Sequence, residues 1–156
     1  MAKVSTGLVM LDGRGRVLLV HPGGPFFKKR DAGVWSIPKG LCGPGEAPEA
    51  AARREFFEEL GFAPPESAMF SLGSIKQSGG KTVHAWAFLG EWDPAGLVSN
   101  EFELEWPPRS GTLQRFPEVD RAEFFDAATA VEKIVPAQRP LVERAFEWAR
   151  GELRSS

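Results

Sequence analysis

Glu55, Glu58 and Glu59 stand at i, i+3 and i+4 in the segment PEAAARREFFEEL. On a helix these three carboxylates share one face. Like charges at that spacing oppose helix formation by about 0.2–0.5 kcal/mol per pair, and no lysine lies on the face to offset them. A solvated outer face is the ordinary reading of a Glu-rich helix. Mg²⁺ or Mn²⁺ is the other, because both prefer carboxylate, carbonyl and water oxygens. Ala52, Phe56 and Leu60 form an adjacent apolar stripe that would hold the acidic face in register against a core. Arg54, four residues before Glu58, could pair with it or orient a neighbouring carboxylate. The missing lysine favours a bound cation over a solvated face.

The sequence around these acids runs Gly40, LCGPG, Glu46, APEAAAR, then Arg54-Glu55-Phe56-Phe57-Glu58-Glu59-Leu60-Gly61-Phe62. It resembles the Nudix box, the signature of Nudix hydrolases, at all nine specified positions. From average residue frequencies, a chance match in a chain this long is on the order of one in ten million. The resemblance implies hydrolysis of a nucleoside diphosphate linked to another group, with Mg²⁺ as cofactor and Mn²⁺ as the substitute. It implies that Glu55, Glu58 and Glu59 bind metal and take part in catalysis, with the Gly40 carbonyl as a further metal ligand. Glu46, Arg54 and Gly61 fall on positions that support the loop and helix. Cations would clamp the bridging oxygens and lower the pKa of a water. A glutamate not fully engaged, Glu55 or Glu59, would take that water's proton. Family members often add an acid from a distant loop, and Glu118 is the candidate here. Glu101, Glu103 and Glu105 compete for the role, although their alternation reads first as a solvated strand face.

Substrate residues are less sharply marked. The lead-in WSIPKG resembles that of diadenosine polyphosphate hydrolases and diphosphoinositol polyphosphate phosphohydrolases, which would turn Lys39 toward phosphate as a mobile point charge. Lys28, with Lys29 and Arg30, could reach further phosphates, as could Lys81. His84 would face the substrate side if Val83 and Ala85 face the core, whereas His21 reads as structural. The chain has no tyrosine, so a base would have to stack on Phe26, Phe27, Trp86, Trp106 or Phe116. SNEFELEWPPRSG with FPEVDRA is similar to a bacterial subgroup of predicted nucleoside-triphosphate pyrophosphohydrolases. A dinucleoside polyphosphate or nucleoside triphosphate is therefore the expected substrate. A diphosphoinositol polyphosphate hydrolase and a non-catalytic nucleotide-sensing module are the alternatives.

These residues need a frame. VSTGLVML and RVLLV read as a hairpin about Asp12-Gly13-Arg14-Gly15; the following loop ends in a short strand, WSIP. The box loop then enters a helix over residues 48–60 that Gly61 stops. Residues 69–76 and 82–92 read as a second hairpin, and EFELEW as a half-buried strand. PPRSGTLQRFPEVD reads as irregular, RAEFFDA as a last strand and ATAVEKI as a short helix. A C-terminal amphipathic helix over 138–150 should pack on the sheet. The pattern predicts an α/β fold as one domain over residues 1–156. It resembles the Nudix α/β/α sandwich, with a mixed curved sheet, box helix and C-terminal helix. Composition agrees, with 42% hydrophobic and 26% charged residues. Net charge of −2 gives no basic field for nucleic acid or an anionic membrane. One cysteine, Cys42, allows no internal disulfide and fits a reducing compartment. The expectation is a cytoplasmic monomer or homodimer whose partner is a small nucleotide or polyphosphate, with no membrane and no nucleic acid.

Overall fold

The computed structural model describes residues 3–154. β1 (Val4–Leu11) is an aliphatic and β-branched run with seven of eight residues buried, as befits a central strand covered on both faces. Asp12 turns the chain by accepting the backbone N–H groups of Arg14 and Arg16 at 3.0 and 2.9 Å. β2 (Val17–Pro22) then returns antiparallel from the Leu11–Val17 pair. Residues 23–38 leave the sheet and re-enter as β3 (Lys39–Leu41), which pairs with the first half of β1 through Thr6–Gly40 and its neighbours. β2 and β3 therefore occupy the same edge of β1 in succession, and the sheet splits between them.

α1 (Pro48–Leu60) begins with proline at its first turn and ends at Gly61 in the left-handed region, φ 72°, whose N–H donates to the Phe57 carbonyl at 2.7 Å. A Cβ on Gly61 would also meet the Val98 carbonyl oxygen at 2.6 Å. β4 (Phe70–Lys76) and β5 (Thr82–Leu89) form an antiparallel hairpin, and β5 lies parallel along the free edge of β1. β6 (Glu101–Glu105) and β7 (Leu113–Pro117) pair with each other as a separate ribbon. β8 (Val119–Phe125) closes the main sheet beside β2, giving the order β4-β5-β1-β2-β8 with β3 on β1. α2 (Ala127–Lys133) is capped by Asp126, which accepts the Thr129 N–H at 2.8 Å, and α3 (Arg139–Arg154) ends the described chain.

Two apolar layers hold the sheet between helices. Ala52, Phe56 and Leu60 of α1 pack on Leu8, Met10, Val20 and Phe88. On the opposite face, Ala130 of α2 and Leu141, Val142, Ala145 and Phe146 of α3 pack on Val9, Leu11, Leu19 and Trp35. The result is an α/β/α sandwich with a mixed sheet. No helix among the described residues is long and apolar enough to cross a membrane.

Two sequence expectations are corrected. WSIP is not a strand: Ser36 bridges to Val20 and Trp35 to Ile134, so the residues face different partners and build no ladder. The strand lies one step on, at Lys39–Leu41, and takes in Gly40 from the expected loop. Nor is PPRSGTLQRFPEVD irregular throughout, because Leu113–Pro117 pairs with Glu101–Glu105 from Leu113–Glu105 to Pro117–Glu101. Its residues are mostly exposed and so carry no burial period.

Candidate active site

Arg54 organises the box. Its Nε and Nη2 donate to the two carboxylate oxygens of Glu46 at 2.8 and 3.0 Å, and Nη2 also donates to the Leu41 carbonyl at 3.1 Å. Nη1 donates to Glu55 at 2.8 Å and to both oxygens of Glu58 at 3.2 and 3.1 Å. Glu46 also accepts the Gly43 N–H at 3.0 Å, so one bidentate pair ties the glycine loop to the helix. The Arg54 bonds, aided by the Gly43 N–H, hold the Glu46 carboxyl down at about 2. The Arg54 guanidinium is pushed up in turn, chiefly by Glu46.

Glu55 leans on Gly40. A Cβ at Gly40 would fall inside the Glu55 carboxylate, so the absence of a side chain there is what lets the acid reach the β3 backbone. Burial raises the Glu55 pKa, its Arg54 hydrogen bond opposes this, and the charge of Glu58 raises it further. Glu59 lines a cavity with Val20 and Pro22 of β2 and Lys39 of β3. It accepts the Lys39 backbone N–H at 3.3 Å. Burial pushes its carboxyl up to about 8 against that bond and the Lys39 charge, with Glu55 and Glu118 adding repulsion. Lys39 is driven down, first by burial and then by Lys81, while Glu59 and Glu55 hold it up. The cavity thus disfavours charge on both an acid and a base at its wall.

Glu118 joins them from the other end of the chain. Pro22, Ser36, Lys39, Glu59 and Glu118 line one cavity of about 170 Å³. The Glu118 pKa is raised by burial and then by Glu55 and Glu58. Asn100, which sequence reasoning missed, fixes this approach: its N–H donates to the Glu58 carbonyl and its own carbonyl accepts the Glu118 N–H, both at 2.8 Å. Only backbone atoms are used, so no residue type could have signalled it.

Other expected residues lie elsewhere. His84 stacks on Trp86 with centroids 4.2 Å apart and its Nε2 lies 3.2 Å from Ser71 Oγ; it does not line the carboxylate cavity. Lys28 lines a separate cavity under the ribbon. Glu103 faces Arg115 at 3.6 Å, and Glu105 accepts the Arg109 N–H at 2.9 Å. Both therefore sit on the exposed face of β6, with Glu101. His21 is fully buried, between Asp120 and the Arg30 carbonyl. A cavity of about 400 Å³ between β4 and α3 contains none of the box carboxylates.

Among the described residues, no three acidic, histidine or cysteine side chains are gathered about a single metal-sized point. Arg54 instead draws Glu55 and Glu58 to itself. The donor chemistry nevertheless suits a hard divalent cation, with the Glu55 and Glu59 carboxylates raised in pKa by burial and then by neighbouring acids, and the Gly40 backbone beside them.

Comparison with known proteins agrees with this arrangement. The sequence profile described as NUDIX domain matches residues 1–145. An isopentenyl-diphosphate Delta-isomerase of Streptomyces coelicolor is 41% identical over 97 residues, covering 60% of this chain and 40% of that protein. An RNA pyrophosphohydrolase of Rhodopseudomonas palustris is 35% identical over 57 residues, 36% of this chain and 32% of its own length. The matched regions thus span less than half of these curated relatives. An Ap4A hydrolase from C. elegans superposes with a TM-score of 0.64 at 18% identity, covering 94% of this chain and 98% of that one; at that identity the likeness is one of fold.

Proposed function

Because the chain belongs to the NUDIX domain family, we propose that it hydrolyses a phosphoanhydride bond in a nucleoside diphosphate linked to a further group. A dinucleoside polyphosphate or nucleoside triphosphate is the favoured substrate. The observation that carries this reading is the convergence of Lys39, Glu59 and Glu118, from three distant parts of the chain, on one cavity beside Glu55.

With Glu59 beside them as the carboxylate not fully engaged, Glu55, Glu58 and the Gly40 carbonyl would hold the cation, Mg²⁺ first and Mn²⁺ as substitute. When bound, it neutralises charge on the anhydride oxygens and acidifies water. The chain's own groups do the rest. Lys39 donates to a phosphate oxygen and orients the substrate from the cavity wall. Glu59 uses Oε1 on the Lys39 backbone and offers Oε2 to the proton of the attacking water. As that water's oxygen bonds to phosphorus, the bridging P–O bond breaks and the leaving phosphate keeps its electron pair. Burial raises the Glu59 pKa; the ionised carboxylate that the proton transfer requires would be favoured beside a bound cation. Glu118 faces the same space and can position the water. Arg54 holds Glu55 and Glu58 in reach and leaves the chemistry to them.

The test is a panel of diadenosine polyphosphates, nucleoside triphosphates and diphosphoinositol polyphosphates in ¹⁸O water with Mg²⁺. The expected result is a labelled phosphate product that disappears in Glu59→Gln. Binding of a nucleotide without turnover across the panel would favour the sensing module. The isomerase relative motivates a second reading, proton shuttling by Lys39 and Glu59 that moves the double bond of an isopentenyl-type diphosphate. Isopentenyl diphosphate in D₂O separates the two, since isomerisation incorporates deuterium and releases no phosphate.

A further inference from the structure

The β6–β7 ribbon stands off the main sheet and is roofed onto residues 23–30. Strand alternation places Phe102, Gln114 and Phe116 on one ribbon face, and that face meets the loop: Phe102 packs beneath Gly24, and Trp106 meets Phe26 edge-on with centroids 5.3 Å apart. Between ribbon and loop lies a cavity of about 300 Å³, walled by Trp106 and Phe116 and edged by Lys28, Gln114, Pro117 and Asp120. This is the lower end of the size range of small-molecule sites.

The polar groups at this cavity are held and half-spent. His21, fully buried, sets Nδ1 2.7 Å from Asp120 Oδ1 and donates from Nε2 to the Arg30 carbonyl at 2.7 Å. One side chain therefore joins the strand that bears Asp120 to the loop that bears Lys28. Asp120 keeps Oδ2 without a hydrogen-bond partner among the described residues. Gln114 commits its Nε2 to the Trp106 carbonyl at 2.8 Å, which leaves its Oε1 as an open acceptor. The site offers aromatic faces, two acceptors and one cation at the rim.

It also adjoins the candidate catalytic centre. Pro117 and Asp120 line this cavity, while Glu118 and Val119 line the carboxylate cavity. Consecutive Cα atoms lie about 3.8 Å apart, so the two spaces share a wall only one strand thick.

We propose that the ribbon–loop cavity binds the nucleobase of the substrate, and that it selects a base bearing an exocyclic amino group. The ring stacks on Trp106 and Phe116, the amino group donates to Asp120 Oδ2 and Gln114 Oε1, and Lys28 meets the first phosphate as it leaves toward Lys39. This rests on the hydrolase reading for the direction of the phosphates, but the recognition itself needs no turnover.

The test therefore has two arms. Titrating the ¹⁵N-labelled protein with AMP and with IMP reads the Trp106 indole and Gln114 amide signals without chemistry. AMP should shift both and bind at least about tenfold more tightly than IMP, which loses both hydrogen bonds of the amino group. In the kinetic arm, Trp106→Ala should raise KM for the best adenine nucleotide about tenfold or more, the loss expected for one stacked base, with kcat little changed. Gln114→Ala, at an exposed position, gives the same reading should Trp106→Ala fail to fold. If nothing in the panel is hydrolysed yet AMP shifts Trp106, the hydrolase reading fails and the base site stands. If turnover proceeds while AMP leaves both signals unmoved, or if IMP equals AMP, the proposal is overturned.

Discussion

At the scale of single residues, the chemistry turns on where charge is made costly. Glu59 has a folded-state pKa of about 8 against an ordinary 4.5. Between those values the folded chain binds more protons than the unfolded one, so its stability falls as pH rises. The cation-free protein should therefore lose thermal stability from pH 5 to 8. Glu59→Gln should flatten that slope in a melting series, while reducing kcat about a hundredfold or more. Glu46 has the opposite sign: held at about 2 by Arg54, it contributes stability that is present above the normal carboxylate range and lost as pH falls toward 2. Gly40→Ala tests position alone. Its Cβ would displace the Glu55 carboxylate, and a misplacement of about 1 Å costs on the order of a hundredfold in rate. The predicted outcome is a folded protein, by circular dichroism, with kcat reduced on that scale.

At the scale of elements, α1 is seated by its buried face and stopped by its C-terminal glycine. Gly61→Ala puts a side chain into the left-handed region and against the Val98 carbonyl. It should cost about 1 kcal/mol or more and lower Tm by roughly 2–4 °C per kcal/mol, measurable by calorimetry. This helix was legible in the sequence because its signals are local: Pro48 at the start, Ala52, Phe56 and Leu60 in a stripe, Gly61 at the stop. The paired strands of the first hairpin and of β4–β5 were legible for the same reason. β7 was not, since Leu113–Pro117 is largely exposed and is a strand only because β6 lies beside it. WSIP misleads because its residues suit a strand, whereas only Trp35 and Ser36 bridge, and to different neighbours. Within the candidate site, the box acids could be found from spacing. The His21–Asp120 pair and the Asn100 backbone strap join residues far apart in sequence, and no local pattern encodes such contacts.

At the scale of the whole molecule, cation binding and folding are linked. An ion that binds only the folded chain at a hundred times its Kd stabilises by about 2.7 kcal/mol, which for a chain of this size raises Tm by roughly 5–10 °C. Differential scanning calorimetry should show that shift with Mg²⁺ or Mn²⁺ and not with Na⁺ at equal ionic strength, and the shift should shrink in Glu59→Gln. The division of β1's edge between β2 and β3 has a separate consequence. Residues 23–38 leave and re-enter on that one edge, and β6–β7 is likewise outside the main ladder. Before Trp35 and Ser36, which bridge to Ile134 and Val20, the loop's length is counted by no strand register, and the ribbon's is not counted by the main sheet, so insertions and deletions in those stretches should leave the box helix seated. On the proposed function, exchanging residues 23–33 and the ribbon for those of a relative should retune which molecule is admitted while the box carboxylates keep their places.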